Sequence, residues 1–356
     1  MKESVFIKSP SKPAIWGTGF IALDLILSGT SKKSRWLWAG GTCGNVLTIL
    51  SFLGWEAYPI SRLNGDAASR LVQQDLARWG VHLKFAKSIP SAKTPIVIER
   101  IGQKPNGGGP KHQFTWLCPA CGSWVPGYAP VLVSAAKEIV KEIKDPKVFF
   151  LDRVSPGALI LAKASLERGA LIVFEPSGVG DPKLFGEALE IAHIVKYSHE
   201  RIKDRSIIAS HPNPFLQIET FGKEGLRYKS RLGASRTRGW RRLEAFTVPR
   251  LKDTAGAGDW CTAGIIHLVG DKAFSGFKSL TLDALQHALR FGQALAAWNC
   301  MFEGARGGMY AVRKNEFKRD VSLINAGREI LPPKTSNPAS VPKRLVKTIC
   351  QACVDL

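Results

Sequence analysis

The sequence predicts an α/β protein with a mostly parallel central sheet, helices on both faces of that sheet and a small β lid. From residue 131 onward, helical and strand-like segments alternate, as in VSAAKEIVKEI before KVFFLDRV and PGALILAKASLERG before ALIVFEP. This alternation is typical of parallel sheets, because parallel neighbours need a crossover connection. The β-prone runs TPIVIERIG and HQFTWL flank the turn PNGGGP and predict a hairpin that projects from the main body.

The composition is that of an ordinary globular protein with a strong positive charge. The 356 residues are 45% hydrophobic and 22% charged, which is enough to build one large core. No apolar run approaches the roughly 18 residues of a membrane span, and MKESVFIKSPSKP has no apolar signal segment, so we expect a cytoplasmic protein without membrane contact. Seven cysteines favour reduced thiols. The net charge of +21 fits either attraction for polyanions or a basic surface that aids solubility.

The pattern of elements divides the chain into a main domain and a tail. We expect the main domain at 14–310, with lid elements near 28–38 and 93–125. The residues at 311–356 read as a basic tail, because LPPKTSNPASVPKR is rich in proline and serine. Within the main domain, NVLTILSFLGW predicts a helix, and PFLQIETFG and LRYKS predict strands on either side of GKEG.

The segment DTAGAGDW at 253–260 carries the strongest chemical signal. Its small residues allow the backbone to approach a ligand closely, and the N–H groups at the start of the following helix favour an anion such as phosphate. Asp259 beside such an anion hole is placed to accept the proton of an attacking hydroxyl. A glycine-rich turn in which the aspartate only caps the helix is the simpler alternative.

These residues resemble a known motif. DTAGAGDW resembles the DTxGAGDxF signature of the ribokinase-like (PfkB) carbohydrate kinases. Weaker matches follow in the expected chain order, and the resemblance covers residues 15 to 310. The matching residues are Gly40, Gly41 and Asn45 in AGGTCGN, Gly65 and Asp66 in LNGDAAS, and Thr220, Gly222, Lys223 and Gly225 in TFGKEG.

The resemblance implies a three-layer ribokinase-like sandwich whose lid closes over a sugar or nucleoside. It also implies transfer of the γ-phosphoryl group of ATP, with Mg²⁺, to a hydroxyl of that substrate. Asp259 would be the general base, and Gly256, Ala257 and Gly258 would form the anion hole. The residues implied for substrate are Asp24, Gly40, Gly41 and Asn45, and those implied for the nucleotide are Ser198, Thr220, Gly222, Lys223, Gly225 and Thr254.

The residues themselves leave simpler interpretations open for the substrate positions. Asp24 and Asn45 are suited to hydrogen bonds with vicinal hydroxyls, and nearby glycines leave room for a ring. Asp24 as a surface residue, Asn45 as a helix cap and the glycine pair as a plain turn are the alternatives.

One element departs from the family pattern. The family carries Asn-x-x-Glu after the strand that here ends in KYSHER, and its glutamate helps to organise magnesium and phosphate. Here Ser198 and Arg201 occupy those two positions, and Glu200, the carboxylate we assign to Mg²⁺, stands one residue early. The alternative function is therefore a regulatory or nucleic-acid-associated protein that keeps the kinase fold with weak or no activity.

Two cysteine pairs have metal-ligand spacing. Cys118 and Cys121 form CPAC, and Cys350 and Cys353 form CQAC. Together they would complete a tetrahedral zinc site that pins the tail to the lid, within one chain or between subunits. Incidental spacing and a redox pair are the other interpretations.

The segment at 223–252 is the densest basic run in the chain. It contains ten lysines and arginines against Glu224 and Glu244, with Tyr228 and Trp240 among them. Its arginines fit neutralisation of ATP phosphates or of an acidic substrate, a solvated surface, or, less well, the backbone of a nucleic acid. An exposed edge of the lid sheet also makes a homodimer plausible.

Overall fold

The computed structural model describes residues 12–28, 34–103, 110–331, 349–350 and 353. Parts of the predicted lid (29–33 and 104–109) and most of the predicted tail lie outside the described residues. The strands are Ala14–Thr18 (β1), Ala22–Ser28 (β2), Ser34–Gly40 (β3), Glu56–Leu63 (β4), Ala86–Ser88 (β5), Ile96–Gln103 (β6), Pro110–Thr115 (β7), Val148–Leu151 (β8), Leu171–Phe174 (β9), Ile194–Ser198 (β10), Leu216–Thr220 (β11), Leu226–Ser230 (β12) and Arg241–Leu243 (β13).

The helices alternate with the strands of the main sheet as the sequence predicts. They are Thr42–Leu53 (α1), Ala67–Arg78 (α2), Val133–Val140 (α3), Pro156–Glu167 (α4), Pro182–Ile191 (α5), Ser206–Ala209 (α6), Ala257–Val269 (α7), Ala273–Lys278 (α8), Leu282–Asn299 (α9), Gly307–Ala311 (α10) and Lys314–Asn325 (α11).

The large sheet has the strand order β13-β12-β11-β10-β9-β8-β1-β4-β5. From β11 to β5 each neighbouring pair is parallel, whereas β12 and β13 pair antiparallel at one end. The predicted α/β class with a mostly parallel central sheet is confirmed. The carboxyl ends of the parallel strands meet at one edge, where ligands bind in open sheets of this kind.

Helices cover both faces of the large sheet. Ile15 and Phe150 belong to a core shared with α1, α7 and α9, whereas Trp16 and Phe149 belong to a second core under α3, α4 and α5. Neighbouring residues of one strand therefore point into different layers, as the two-residue period of a strand requires. The result is a three-layer sandwich.

The small sheet has the order β3-β2-β6-β7. The predicted hairpin is present, because β6 and β7 pair antiparallel with Ile98 opposite Thr115. Gly19, with φ 147°, connects β1 of the large sheet to β2 of the small one, and a Cβ there would lie 1.8 Å from the Asp152 carboxylate. Since β7 lies at one end of the small sheet, dimerisation through a lid edge stays a prediction.

The compact body continues beyond residue 310. Helix α11 packs against α9 and buries Phe317 and Val321 in the first core. Among the described residues, no helix is both long and apolar enough to cross a membrane.

Candidate active site

The turn at 253–260 is built by its own polar groups. Asp253 accepts a hydrogen bond from the Ala255 N–H at 3.0 Å and another from the Gly304 N–H at 2.8 Å. Gly256 then takes a left-handed φ of 71°, and a Cβ there would lie 2.3 Å from the Ala305 carbonyl oxygen. Glycine is therefore required where the chain turns into α7. The turn directs the amino end of α7, with its partial positive charge, toward the carboxyl edge of the large sheet.

Asp259 lies in the first turn of α7, beneath an open surface. Thr254 and Gly258 are exposed, whereas Asp259 itself is buried. The Asn45 side-chain amide donates a hydrogen bond to the Asp259 carboxylate at 2.7 Å. The structure thus brings the predicted base into contact with a predicted substrate residue that lies more than 200 positions earlier in the chain. The Ala257 N–H of the predicted anion hole donates to the Thr254 carbonyl at 3.2 Å.

The environment of Asp259 adjusts its acidity. Burial, followed by the nearby Glu175 carboxylate, raises the pKa of Asp259 to about 7. The hydrogen bond from Asn45 and the positive charges of Lys196 and Arg201 oppose that rise in pKa. A carboxylate with a pKa near neutrality is well matched to proton transfer at neutral pH.

A buried arginine fixes the orientation of Asn45. Arg306 donates from Nε to Asn45 Oδ1 at 3.0 Å and from Nη2 to Asp75 at 2.9 Å, and Tyr310 donates to the same Asp75 carboxylate at 2.7 Å. Because arginine has only donors, Asn45 must present its oxygen to Arg306 and its amide hydrogens to Asp259. Sequence reasoning missed Arg306, whose only sequence signal is a charge within the apolar and glycine-rich run MFEGARGGM.

Asp24 lies on β2 of the small sheet, close to the same arginine. A Cβ on Gly40 would lie 1.9 Å from the Asp24 carboxylate, so glycine at that position leaves the room that Asp24 occupies. Burial raises the pKa of Asp24 to about 7, while the Arg306 charge opposes the rise and Asp75 adds to it. Gly41 also serves a close approach, because with φ 77° a Cβ there would lie 2.3 Å from the Phe20 carbonyl oxygen.

A buried lysine connects the turn to the central strands. Lys196 on β10 is 2% exposed, contacts the Glu175 carboxylate at the end of β9 and donates to the Gly258 carbonyl oxygen at 3.2 Å. Thr262 on α7 donates to the same carboxylate. Burial lowers the pKa of Lys196, but the charge and hydrogen bond of Glu175, together with the nearby Cys261 and Asp259, raise it by more, so the net shift is upward and Lys196 stays protonated. A lysine inside the apolar strand IVKYS was the signal that sequence reasoning overlooked.

The predicted nucleotide residues lie at neighbouring strand ends. Ser198 at the end of β10 is in register with Thr220 at the end of β11. The turn after β11 places Gly222 and Lys223 at the surface. Gly225 has φ 89°, and a Cβ there would lie 2.2 Å from the Leu243 carbonyl oxygen, so this position favours glycine. Thr254 of the octet contacts His112 of β7, Oγ1 to Nδ1, at 3.0 Å.

The last three residues of the altered KYSHER element are exposed. Glu200 and Arg201 both face solvent, and the Glu200 N–H donates to the Ser198 hydroxyl at 3.3 Å. Behind this element, the fully buried Glu219 carboxylate accepts from Arg205 at 2.7 Å and from Arg227 at 2.6 Å. Two arginines are thus held by one buried carboxylate beside Thr220.

Arg227 of the basic segment at 223–252 is one of these two arginines. The Arg227 guanidinium lies 4.6 Å from the Trp240 ring centroid and 5.5 Å from that of Phe221, and Arg242 lies 5.6 Å from Phe221. These contacts, with the Glu219 ion pair, give Arg227 partners within the chain. Arg241 and Arg242 are exposed.

The four cysteines of the two CxxC pairs come together. Their sulfur atoms all lie within 4.8 Å of one another, which is suitable for holding a metal ion. Hydrogen bonds from the Ser123 side chain and N–H lower the pKa of the Cys121 thiol to about 6. Burial and hydrogen bonding to the other thiols raise the pKa of Cys353.

Among proteins of known structure, sugar and nucleoside kinases share this fold. Fructokinase from Vibrio cholerae O395, crystallised with fructose, ADP and calcium, is 17% identical, with a TM-score of 0.61 over 82% of this chain and 94% of that one. Ribokinase from Arabidopsis thaliana, with ribose and ATP, is 15% identical, with a TM-score of 0.62 over 88% and 99%. The nucleoside kinase of Burkholderia thailandensis, with inosine, is 18% identical, with a TM-score of 0.58 over 87% and 97%.

These likenesses define the class of fold. No family model matches the sequence, and no curated protein sequence matches it. The chain has the ribokinase-like fold, so the predicted resemblance is confirmed at the level of the fold.

Proposed function

We propose that this protein is an ATP-dependent phosphotransferase that moves the γ-phosphoryl group to a hydroxyl of a sugar or nucleoside. The observation that carries the proposal is the buried Asp259 carboxylate at the amino end of α7, with Asn45 hydrogen-bonded to it. Phosphoryl transfer from ATP to a hydroxyl requires a base and a site that binds the phosphate anion. Here the carboxylate and the amino end of the helix lie together. The fold shared with sugar and nucleoside kinases supports the same class of reaction.

The reaction proceeds by direct displacement at the γ-phosphorus. The substrate oxygen forms a bond to phosphorus, its proton passes to Asp259, and the bond to the β-phosphate oxygen breaks to release ADP. The amino end of α7 stabilises the negative charge of the transferring group, with the Gly256 and Gly258 N–H groups as the donors of the proposed anion hole, because the Ala257 N–H already donates to the Thr254 carbonyl. Lys196, held against the Gly258 carbonyl, fixes this turn from below and adds positive charge.

The small sheet supplies the substrate side of the site. Asp24 on β2 and Asn45 on α1 are the proposed partners for substrate hydroxyls, and Gly40 and Gly41 allow the Asp24 carboxylate and the Phe20 backbone to approach β3 and α1 closely. Arg306 is 1% exposed and its Nη1 has no partner among the described residues, which adds a donor to this region. A substrate rich in oxygen acceptors fits these groups.

The nucleotide side lies along the ends of β10 and β11. Ser198, Thr220, Gly222, Lys223, Gly225 and Thr254 are the proposed nucleotide contacts. Arg227, fixed by Glu219 and Trp240, supports a role of the basic segment toward nucleotide phosphates more than toward nucleic acid. The partly buried Glu175 carboxylate and the buried Asp152 carboxylate already pair with Lys196 and Arg153. Mg²⁺, which neutralises phosphate charge when bound, therefore has Glu200 as its proposed carboxylate, reached through water.

The test is a panel of sugars, sugar phosphates and nucleosides screened for ADP release in the presence of Mg²⁺. With an accepted substrate, the Asp259→Asn variant is expected to lose activity by about 10²–10⁴-fold, because it cannot accept the proton. Asp283→Asn is the matched control, since Asp283 is an exposed aspartate in the first turn of α9. Unchanged turnover in folded Asp259→Asn would remove Asp259 as the base.

Failure of the whole panel would contradict the proposed reaction. In that case, salt-sensitive retention on polynucleotide would support the alternative of a kinase-fold binding protein.

A further inference from the structure

The CPAC segment forms a tight turn that presents two sulfur atoms on one side. The Gly122 N–H donates to the Cys118 carbonyl oxygen at 2.9 Å, and the Cys118 N–H donates to the Ser123 carbonyl oxygen at 2.8 Å. Gly122 has φ 76°, which favours glycine at the point where the turn reverses. Leu117 and Trp124 then pair as an antiparallel bridge that closes the turn.

The second pair approaches this turn from the far end of the chain. The Cys353 N–H donates to the Cys350 carbonyl oxygen at 2.9 Å. The sulfur atoms meet crosswise, with Cys118 and Cys353 3.7 Å apart and Cys121 and Cys350 also 3.7 Å apart. Two cysteine pairs that lie far apart in sequence therefore meet through their sulfur atoms.

The spacing of the sulfur atoms fits a metal ion better than disulfides. Four sulfurs at about 2.3 Å from a tetrahedral zinc ion lie about 3.8 Å from one another, which is close to both measured separations. A disulfide requires about 2.05 Å between bonded sulfurs. Four thiolates also satisfy every position of a tetrahedral ion, which is the arrangement of structural sites and not of catalytic ones.

The cluster is anchored in the main core. Cys118 and Cys350 are buried among the residues of the first core, together with Ile349 and Val125, while Cys121 and Cys353 are partly exposed. Apolar side chains therefore cover the inner side of the four-cysteine cluster, and solvent can reach its outer side.

We propose that Cys118, Cys121, Cys350 and Cys353 bind one structural Zn²⁺ that fastens the C-terminal segment to the base of the small sheet. Strand β7 ends at Thr115, three residues before Cys118, and His112 of β7 contacts Thr254 of the octet. The zinc site consequently holds the strand that touches the proposed active site. This assignment is independent of the phosphotransferase reaction.

Metal content is the direct test. Full-length protein purified under reducing conditions without a metal-affinity tag is expected to contain one zinc per chain by elemental analysis. Cys353→Ser and Cys121→Ser are expected to lower that content to near zero. Cys300→Ala is the control, since Cys300 is a buried cysteine outside the cluster and its loss should leave one zinc per chain.

A second measurement, on wild-type protein, tests the zinc site even if the cysteine variants fail to fold. Wild-type protein stripped of metal and reconstituted with Co²⁺ is expected to show the visible absorption of a tetrahedral thiolate site at one equivalent. Removal of the metal is expected to lower the melting temperature of wild type. Iron in place of zinc, or four reduced thiols that bind neither Zn²⁺ nor Co²⁺, would overturn the assignment.

Discussion

The two sides of the proposed site are built differently. On the base side, Asp259 is buried and its neighbours reach it through defined contacts, including Asn45 at 2.7 Å. On the metal side, Glu200 and Arg201 lie on an exposed turn after β10. The base side keeps the residue types that the family motif requires, whereas the metal side replaces two of them.

For the proposed reaction, this difference indicates which part of the chemistry tolerates change. A proton acceptor must lie at one place relative to the attacking oxygen, so its position is enforced by buried partners. Phosphate charge can instead be neutralised by several arrangements of cations, because electrostatic attraction depends less strictly on geometry. Arg201 stands where the family motif has glutamate, which is consistent with a site in which a protein side chain supplies positive charge to the phosphates.

After Asp259→Asn, the substitution on the base side with the largest expected effect on stability and turnover is Lys196→Met. The change leaves the partly buried Glu175 carboxylate without its cation, which costs up to about 3–5 kcal/mol of unfolding free energy. It also removes the donor to the Gly258 carbonyl and a charge that favours ionised Asp259. Thermal or urea unfolding and ATP turnover should both fall.

Two further variants separate these effects. Lys141→Met is the matched control, because Lys141 pairs with Glu138 at an exposed position and should lose at most about 1 kcal/mol. The double variant Lys196→Met with Glu175→Gln removes the unpaired charge and should regain stability without regaining turnover. A single variant that is as stable and active as wild type would contradict the proposed role of Lys196.

The next largest expected effect is the pH dependence of turnover and stability that follows from the raised pKa of Asp259. With its pKa raised to about 7, the base is protonated and inactive at lower pH, so kcat/KM should rise as pH increases through about 7. Stability should change in the opposite direction. The unfolded chain releases this proton near its ordinary pKa of about 3.9, so unfolding becomes easier as pH rises from about 4 to 7.

Pairing the pH profile with a substitution makes the test specific. Asp259→Asn should remove its share of the pH dependence of stability, leaving the contributions of Asp24 and Asp152, whose pKa values are also raised by burial. A wild-type profile of kcat/KM that is flat between pH 5 and 8 would argue against a buried carboxylate as the base.

Local patterns in the sequence were sufficient for the fold. The alternation of helices and strands predicts the parallel sheet, and the octet DTAGAGDW predicts the helix start with Asp259. Both depend on short-range rules, namely residue periodicity and the backbone freedom of glycine. The spacing of the cysteines likewise suggested a metal site, although only the structure places the two pairs side by side.

The residues that the sequence did not reveal act through long-range contacts. Lys196 and Arg306 carry no motif, and each is defined by a partner on another element, Glu175 on one side and Asp75 on the other. A buried charge is recognisable only when its counterion is known, because an isolated charge would not be stable there. Sequence reasoning about one chain therefore points to a candidate base more readily than to the groups that would position it.

The smallest effect is expected on the metal side, for Arg201→Glu. The change restores a carboxylate at the position where the family motif has one and removes a positive charge that lowers the pKa of Asp259. We therefore expect the acidic limb of kcat/KM to move to higher pH and turnover to depend more steeply on Mg²⁺ concentration, with a several-fold loss at low Mg²⁺.

Lys144→Glu is the matched control for this charge reversal. Lys144 is exposed just before β8, at the opposite edge of the large sheet from the proposed site, so it changes net charge equally without approaching Asp259. If both reversals shift the pH profile and the Mg²⁺ dependence alike, the effect belongs to the overall charge of the protein. If only Arg201→Glu does so, the exposed turn takes part in phosphate and metal binding even though it lacks the family glutamate.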